Sequence, residues 1–147
     1  RHYFSDLKGE NFIQYTANAG HDLNGGQQAR RSLNAFFCNT FADIPYAECS
    51  WEISESGTGV TLNVEGSANA IKAAYLWSAD SQDRDFRDEV WSSNDLDALD
   101  NSSVSTTLIY PETGFRAFYI DLKYRDLYGR EYTLSTQTFV VDNDELL

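Results

Sequence analysis

The sequence predicts a mainly β protein: an antiparallel β-sandwich of immunoglobulin-like or fibronectin-type-III-like shape over residues 44–147, preceded by one short strand and one helix in residues 1–43. Three observations predict it. From Tyr46 onward apolar residues recur at every second position, the period of a strand with one buried face. Six or so such stretches, parted by turn-forming clusters and almost free of helical periodicity, fit within about a hundred residues, as two packed sheets require. A chain of 147 residues that is 41% hydrophobic, with 3 Trp, 9 Tyr and 9 Phe, can bury one core and is not disordered.

Phe12-Ile13-Gln14-Tyr15-Thr16-Ala17 is rich in aromatic and β-branched residues and follows the turn-like Lys8-Gly9-Glu10-Asn11, so it reads as a strand, which Asn18-Ala19-Gly20-His21-Asp22 ends. After Asn24-Gly25-Gly26, the residues Ala29, Leu33, Phe36, Phe37 and Phe41 fall on one face of a helix that Pro45 stops. One strand and one helix offer no second layer for that Phe-rich face, which is expected to dock elsewhere, across the sandwich or on another body. Ala47, Cys49, Trp51 and Ile53 alternate into the turn Ser56-Gly57-Thr58-Gly59, and Val60, Leu62 and Val64 complete a hairpin. Ile71, Ala73, Tyr75, Trp77 and Ala79 give a third strand, and Val104, Thr106, Leu108 and Tyr110 a fourth after a long acidic segment. Residues 115–124 are apolar on both faces, as in a central strand, and a turn over 125–130 leads to a last strand over 132–141.

The 23 acids and 11 bases give a net charge of -12, which repels phosphate backbones and anionic lipid and argues against nucleic acid and membrane surfaces as partners. No run is long and apolar enough for a membrane span, and no signal segment opens the chain. There is no methionine, so the translation start is expected upstream of Arg1. Cys38 and Cys49 suit a short disulfide loop in an oxidising compartment or two thiols in a reducing one. Asn101-Ser102-Ser103 is a sequon for a glycosylating host.

His21, on a loop between a strand and a helix, has the placement of a catalytic imidazole, set against the plain reading of a surface residue. No Gly-x-Ser-x-Gly elbow accompanies it, so the chain by itself is expected to lack a serine nucleophile. In Asp80-Ser81-Gln82-Asp83-Arg84-Asp85-Phe86-Arg87-Asp88-Glu89 the alternate oxygens lack the glycine and glutamate of a calcium loop. The segment reads as a solvated loop with local ion pairs, or as a charged rim against a partner with Phe86 as anchor. Trp51 and Trp77 share apolar strand faces and read as core, whereas Trp91 is expected to pack onto the sandwich or a partner domain. No metal or cofactor is implied.

Asn11-Phe12-Ile13-Gln14-Tyr15 through Asn18-Ala19-Gly20-His21, Leu33-Asn34-Ala35-Phe36-Phe37, Pro45, Ser50-Trp51, Leu76-Trp77-Ser78-Ala79, Arg84-Asp85-Phe86-Arg87, Trp91, Gly114-Phe115-Arg116-Ala117-Phe118 and Leu134-Ser135-Thr136 stand in order along the chain. Together they resemble the C-terminal portion of the PhoPQ-activated pathogenicity-related proteins. The resemblance implies an α/β-hydrolase-like domain followed by a β-sandwich. On it, residues 1–43 are the last strand and helix of the hydrolase sheet, and His21 is the general base toward a serine that lies, with its acid, in an upstream domain. Arg84, Asp85, Phe86, Arg87 and Trp91 are then candidates for contact with that domain. Members are mostly exported bacterial proteins named for control by a virulence regulator. Two functions follow: part of a serine hydrolase acting on an ester or peptide bond, or a non-catalytic sandwich that recognises a protein or glycan through residues 80–101.

Overall fold

The computed structural model describes residues 4, 6–67, 71–97 and 102–147; Asn101 of the sequon lies outside them. A 3₁₀ turn, Asn24–Gly26, leads into α1 (Gln27–Phe41). Among the described residues eight strands follow: β1 (Cys49–Ser56), β2 (Gly59–Gly66), β3 (Ala73–Ser81), β4 (Ser92–Leu96), β5 (Ser103–Ile109), β6 (Phe115–Arg125), β7 (Glu131–Ser135) and β8 (Phe139–Val141). They form two antiparallel sheets, β1-β2-β5 and β4-β3-β6-β7, with β8 also paired to β6.

The sheets share one core. Val60, Leu62, Val64, Val104 and Leu108 enter it from the smaller sheet, and Ala74, Leu76, Phe118, Ile120, Leu122 and Tyr124 from the larger. β6 is buried on both faces, since Ala117, Tyr119 and Asp121 on its other side are also buried. On β3 the core residues are Ala74 and Leu76, whereas Tyr75 and Trp77 are half-buried on the opposite face, opposite Asp121 and Tyr119. The reading of Trp77 as core is therefore corrected. Both faces of β3 carry apolar residues, so alternation alone cannot choose between them; on the outer face Trp77 stacks on Tyr119 and its indole donates to Asp121, both of β6.

Three other expectations change. Residues 12–17 run beside β7 without forming a ladder, because the contact is limited to Ser135 N–H donating to the Ile13 carbonyl (2.8 Å) and Tyr15 N–H donating to Ser135 Oγ (3.1 Å). The last strand is two: its register against β6 slips by one residue between Asp121↔Ser135 and Phe118↔Phe139, a bulge that leaves Thr136 bonded to Ile120 through both its N–H and its hydroxyl. β4 falls inside the segment read as acidic loop; four of its five residues are polar, so it shows no apolar alternation. Cys38 and Cys49 are both free thiols.

α1 docks on β7 through a polar and small face, Ser32, Ala35 and Asn39, which are buried. Ser32 Oγ both donates to the Thr133 carbonyl (3.0 Å) and accepts its N–H (3.1 Å), satisfying the outer edge of β7. Phe12, Phe36 and Tyr46 cluster around this contact, and Tyr46 stacks on Tyr132, which stacks on Tyr124 of the core. Most of the Phe-rich face points away: Leu33 is 54%, Phe37 49% and Phe41 89% exposed. Ser32→Ala is expected to destabilise the fold by roughly 2 kcal/mol, because a buried Thr133 N–H loses its acceptor. Urea unfolding checks this, and a change below about 0.5 kcal/mol would contradict it.

Candidate active site

His21 sits at the exposed tip of a turn closed by Leu23 N–H donating to the Gly20 carbonyl at 2.9 Å. The chain downstream is held by Asp22, whose two carboxylate oxygens accept the N–H groups of Asn24 (3.3 Å) and Gly25 (3.2 Å). Leu23, Asn24, Gly25 and Gly26 all take left-handed conformations, which the two glycines and Asn24 tolerate best. The chain upstream is held by Asn18, itself left-handed at φ 54°. Its carboxamide pairs with the backbone of Trp91: Nδ2 donates to the Trp91 carbonyl and Oδ1 accepts the Trp91 N–H, both at 2.8 Å.

This loop lines one side of an open groove of about 930 Å³. Phe86, Arg87, Glu89 and Trp91 line it too, with Tyr15 and Tyr119. The half-buried Trp91 ring lies 6.3 Å from Phe86 and 5.3 Å from Tyr119, centroid to centroid, so it packs onto the larger sheet. Arg87 is paired with Asp85, whose carboxyl the Arg87 hydrogen bonds pull down to about 2. The structure thus brings His21, Phe86, Arg87 and Trp91 to one groove. Arg84 is not among its lining residues, and Asp85 serves the loop. Ser81, Asp83 and Asp85 spend their alternate oxygens on loop N–H groups, Ser81 on Asp83, Asp83 on Asp85 and Asp85 on Arg87. Among the described residues no group of three or more His, Cys, Asp or Glu is placed to hold a metal.

The groove rests on a buried polar cluster that sequence reasoning missed. Asp121, 2% exposed, accepts from the Ser135 hydroxyl (2.6 Å) and the Trp77 indole (3.2 Å); Ser135 Oγ in turn accepts the Tyr15 N–H. Burial pushes the Asp121 carboxyl up to about 6, against hydrogen bonds from Ser135, Trp77 and Gln28 and the charge of Lys123. A lone carboxylate in the apolar run 115–124 was the available signal. Burial likewise pushes the Cys49 thiol up to about 12, with Asp121 adding to it. Beside Asp121, the buried Tyr119 hydroxyl has no hydrogen-bond partner among the described residues.

Chemically, the groove presents one accessible imidazole on a turn fixed at both ends. The adjacent carboxylate, Asp22, is committed to backbone donors, and among the described residues no serine or cysteine lines the groove. What the arrangement offers is a proton acceptor and donor aimed into open space.

Among the described residues no helix is long and apolar enough to cross a membrane. Comparison with curated proteins and with solved structures gave no match. Residues 1–87, which span α1, the first three strands and the turn that carries His21, match the family model for PhoPQ-activated pathogenicity-related protein, so the chain belongs to that family.

Proposed function

We propose that this chain is the C-terminal part of an exported α/β-hydrolase-like serine hydrolase acting on an ester or peptide bond. Residues 1–43 end the hydrolase domain, and residues 44–147 form an accessory immunoglobulin-like sandwich. The observation that supports this best is the presentation of His21. A histidine within the family-matched residues stands on a turn braced from both sides, exposed in a groove and without a hydrogen-bond partner among the described residues. In the reaction His21 takes the proton of an upstream serine hydroxyl and then returns it to the leaving group. The upstream domain supplies that serine and its acid, and it covers the outward face of α1, where Leu33, Phe37 and Phe41 otherwise meet water.

A second reading has its own support. Four aromatic rings, Tyr15, Phe86, Trp91 and Tyr119, line the groove, as they would in a sandwich that binds a protein or glycan without catalysis. Native mass and fluorophosphonate labelling of the protein in its source cell separate the two. The hydrolase reading expects a labelled species well above 16.6 kDa. An unlabelled species of 16.6 kDa would leave the binding reading.

A further inference from the structure

We propose that Asn18 is a positioning residue for His21, and that through it the larger sheet, by way of Trp91, sets where the imidazole stands. The inference rests on the reading of His21 as the base.

Asparagine side chains in turns usually bond their own backbone within a few residues. Asn18 instead reaches 73 positions along the chain and makes a two-way pair with Trp91, in which its carboxamide stands in for the peptide group of a neighbouring strand. Trp91 is a fixed reference, because its ring packs on Phe86 and Tyr119, the latter buried on β6, and its backbone leads directly into β4. Only Ala19 and Gly20 separate the clasp from His21, at most roughly 10 Å of extended chain. The next residue, Asp22, fixes the loop from the other side through its bonds to Asn24 and Gly25. Among the described residues, the stretch from Tyr15, held by Ser135, to Leu23 has no other hydrogen bond to the sheets. Without the clasp, His21 is carried on a loop free at its upstream end. The arrangement gives Trp91 two roles, holding the loop that carries His21 as well as lining the groove.

Asn18 also occupies a left-handed conformation, so its backbone role must be separated from its side-chain role. Asn18→Gly does this, since glycine adopts that conformation freely and makes no clasp. Asn18→Asp keeps the acceptor for the Trp91 N–H but sets a carboxylate against the Trp91 carbonyl.

The test is NMR of the 147-residue chain, reading the His21 ring resonances and the amide exchange of residues 19–23. In Asn18→Gly we expect exchange there to rise roughly tenfold, the ring resonances to move to those of a freely mobile histidine, and the thermal midpoint to stay near that of the parent. Asn18→Asp should fall between. Unchanged ring resonances and exchange in Asn18→Gly would overturn the proposal. So would a general loss of protection across both sheets, which would make Asn18 a stability residue. These readouts need no nucleophile, so a failure of the hydrolase reading leaves them standing. If the intact protein does turn over substrate, Asn18→Gly is expected to lower kcat while leaving KM nearly unchanged.

Discussion

If His21 is the base of the proposed serine hydrolase, His21→Ala in the full-length protein is expected to lower kcat by at least about 10⁴-fold, the loss that follows when a serine nucleophile is left without its base. The same substitution should barely touch the fold. His21 is exposed and makes no hydrogen bond among the described residues, so its removal opens no cavity and orphans no buried group. Urea unfolding of the variant is therefore expected to agree with the parent within about 0.5 kcal/mol. A large loss of activity without loss of stability is the mark of a residue kept for chemistry. A variant that retained turnover would remove His21 from the mechanism, whatever its stability.

Lowering the pH from 7 to about 4.5 is expected to stabilise the fold, against the usual behaviour of a paired carboxylate. The cause is Asp121, whose folded value of about 6 lies above the ordinary 3.8 because burial disfavours its charged form. Between those two values the folded chain binds more protons than the unfolded one. Stability therefore falls as the pH rises through this window and levels off above it. Full expression of the difference amounts to about 3 kcal/mol. Asp121 is faced by Trp77 from β3, Ser135 from β7, Gln28 from α1 and Lys123 from its own strand, and it raises the Cys49 and Tyr119 groups in turn. Below about pH 4 the trend reverses, since Asp126 and Asp142 are held below the ordinary range. Asp126 is held down by hydrogen bonds from Arg130 and Tyr128 that outweigh its burial, Asp142 by backbone N–H groups of Asp144 and Glu145. Urea unfolding at pH 4.5 and 7 in the parent and in Asp121→Asn measures the effect. The parent should be more stable at the lower pH and the variant nearly flat; equal slopes in both would contradict the assignment.

Much of the strand pattern was legible because alternation and turn chemistry agree in β1, β2 and β5, and because β6 is apolar on both faces, as a central strand is. The family was legible as a resemblance carried by Asn-Ala-Gly-His and Arg-Asp-Phe-Arg together with the other matching pieces in their order along the chain. Three features were not, each for a physical reason. β4 is a polar edge strand, and its pairing with β3 leaves no trace in hydropathy. Both faces of β3 carry apolar residues, because on the outer one Trp77 and Tyr75 pack beside Tyr119 and Lys123 of β6 while staying half-buried. α1 docks through Ser32, Ala35 and Asn39, which a search for an apolar stripe passes over, while Leu33, Phe37 and Phe41 of the stripe stay outside. At the site, His21, Phe86, Arg87 and Trp91 were singled out one by one, but the Asn18 clasp that joins their loops spans 73 positions and is invisible to any local pattern.

The role proposed for His21 is tested by the structure of the full-length protein after fluorophosphonate labelling. A labelled serine outside residues 1–147 is expected, with its Oγ about 3 Å from a ring nitrogen of His21. A labelled serine whose Oγ lies more than about 6 Å from His21, beyond hydrogen-bond reach even through a water, would contradict it.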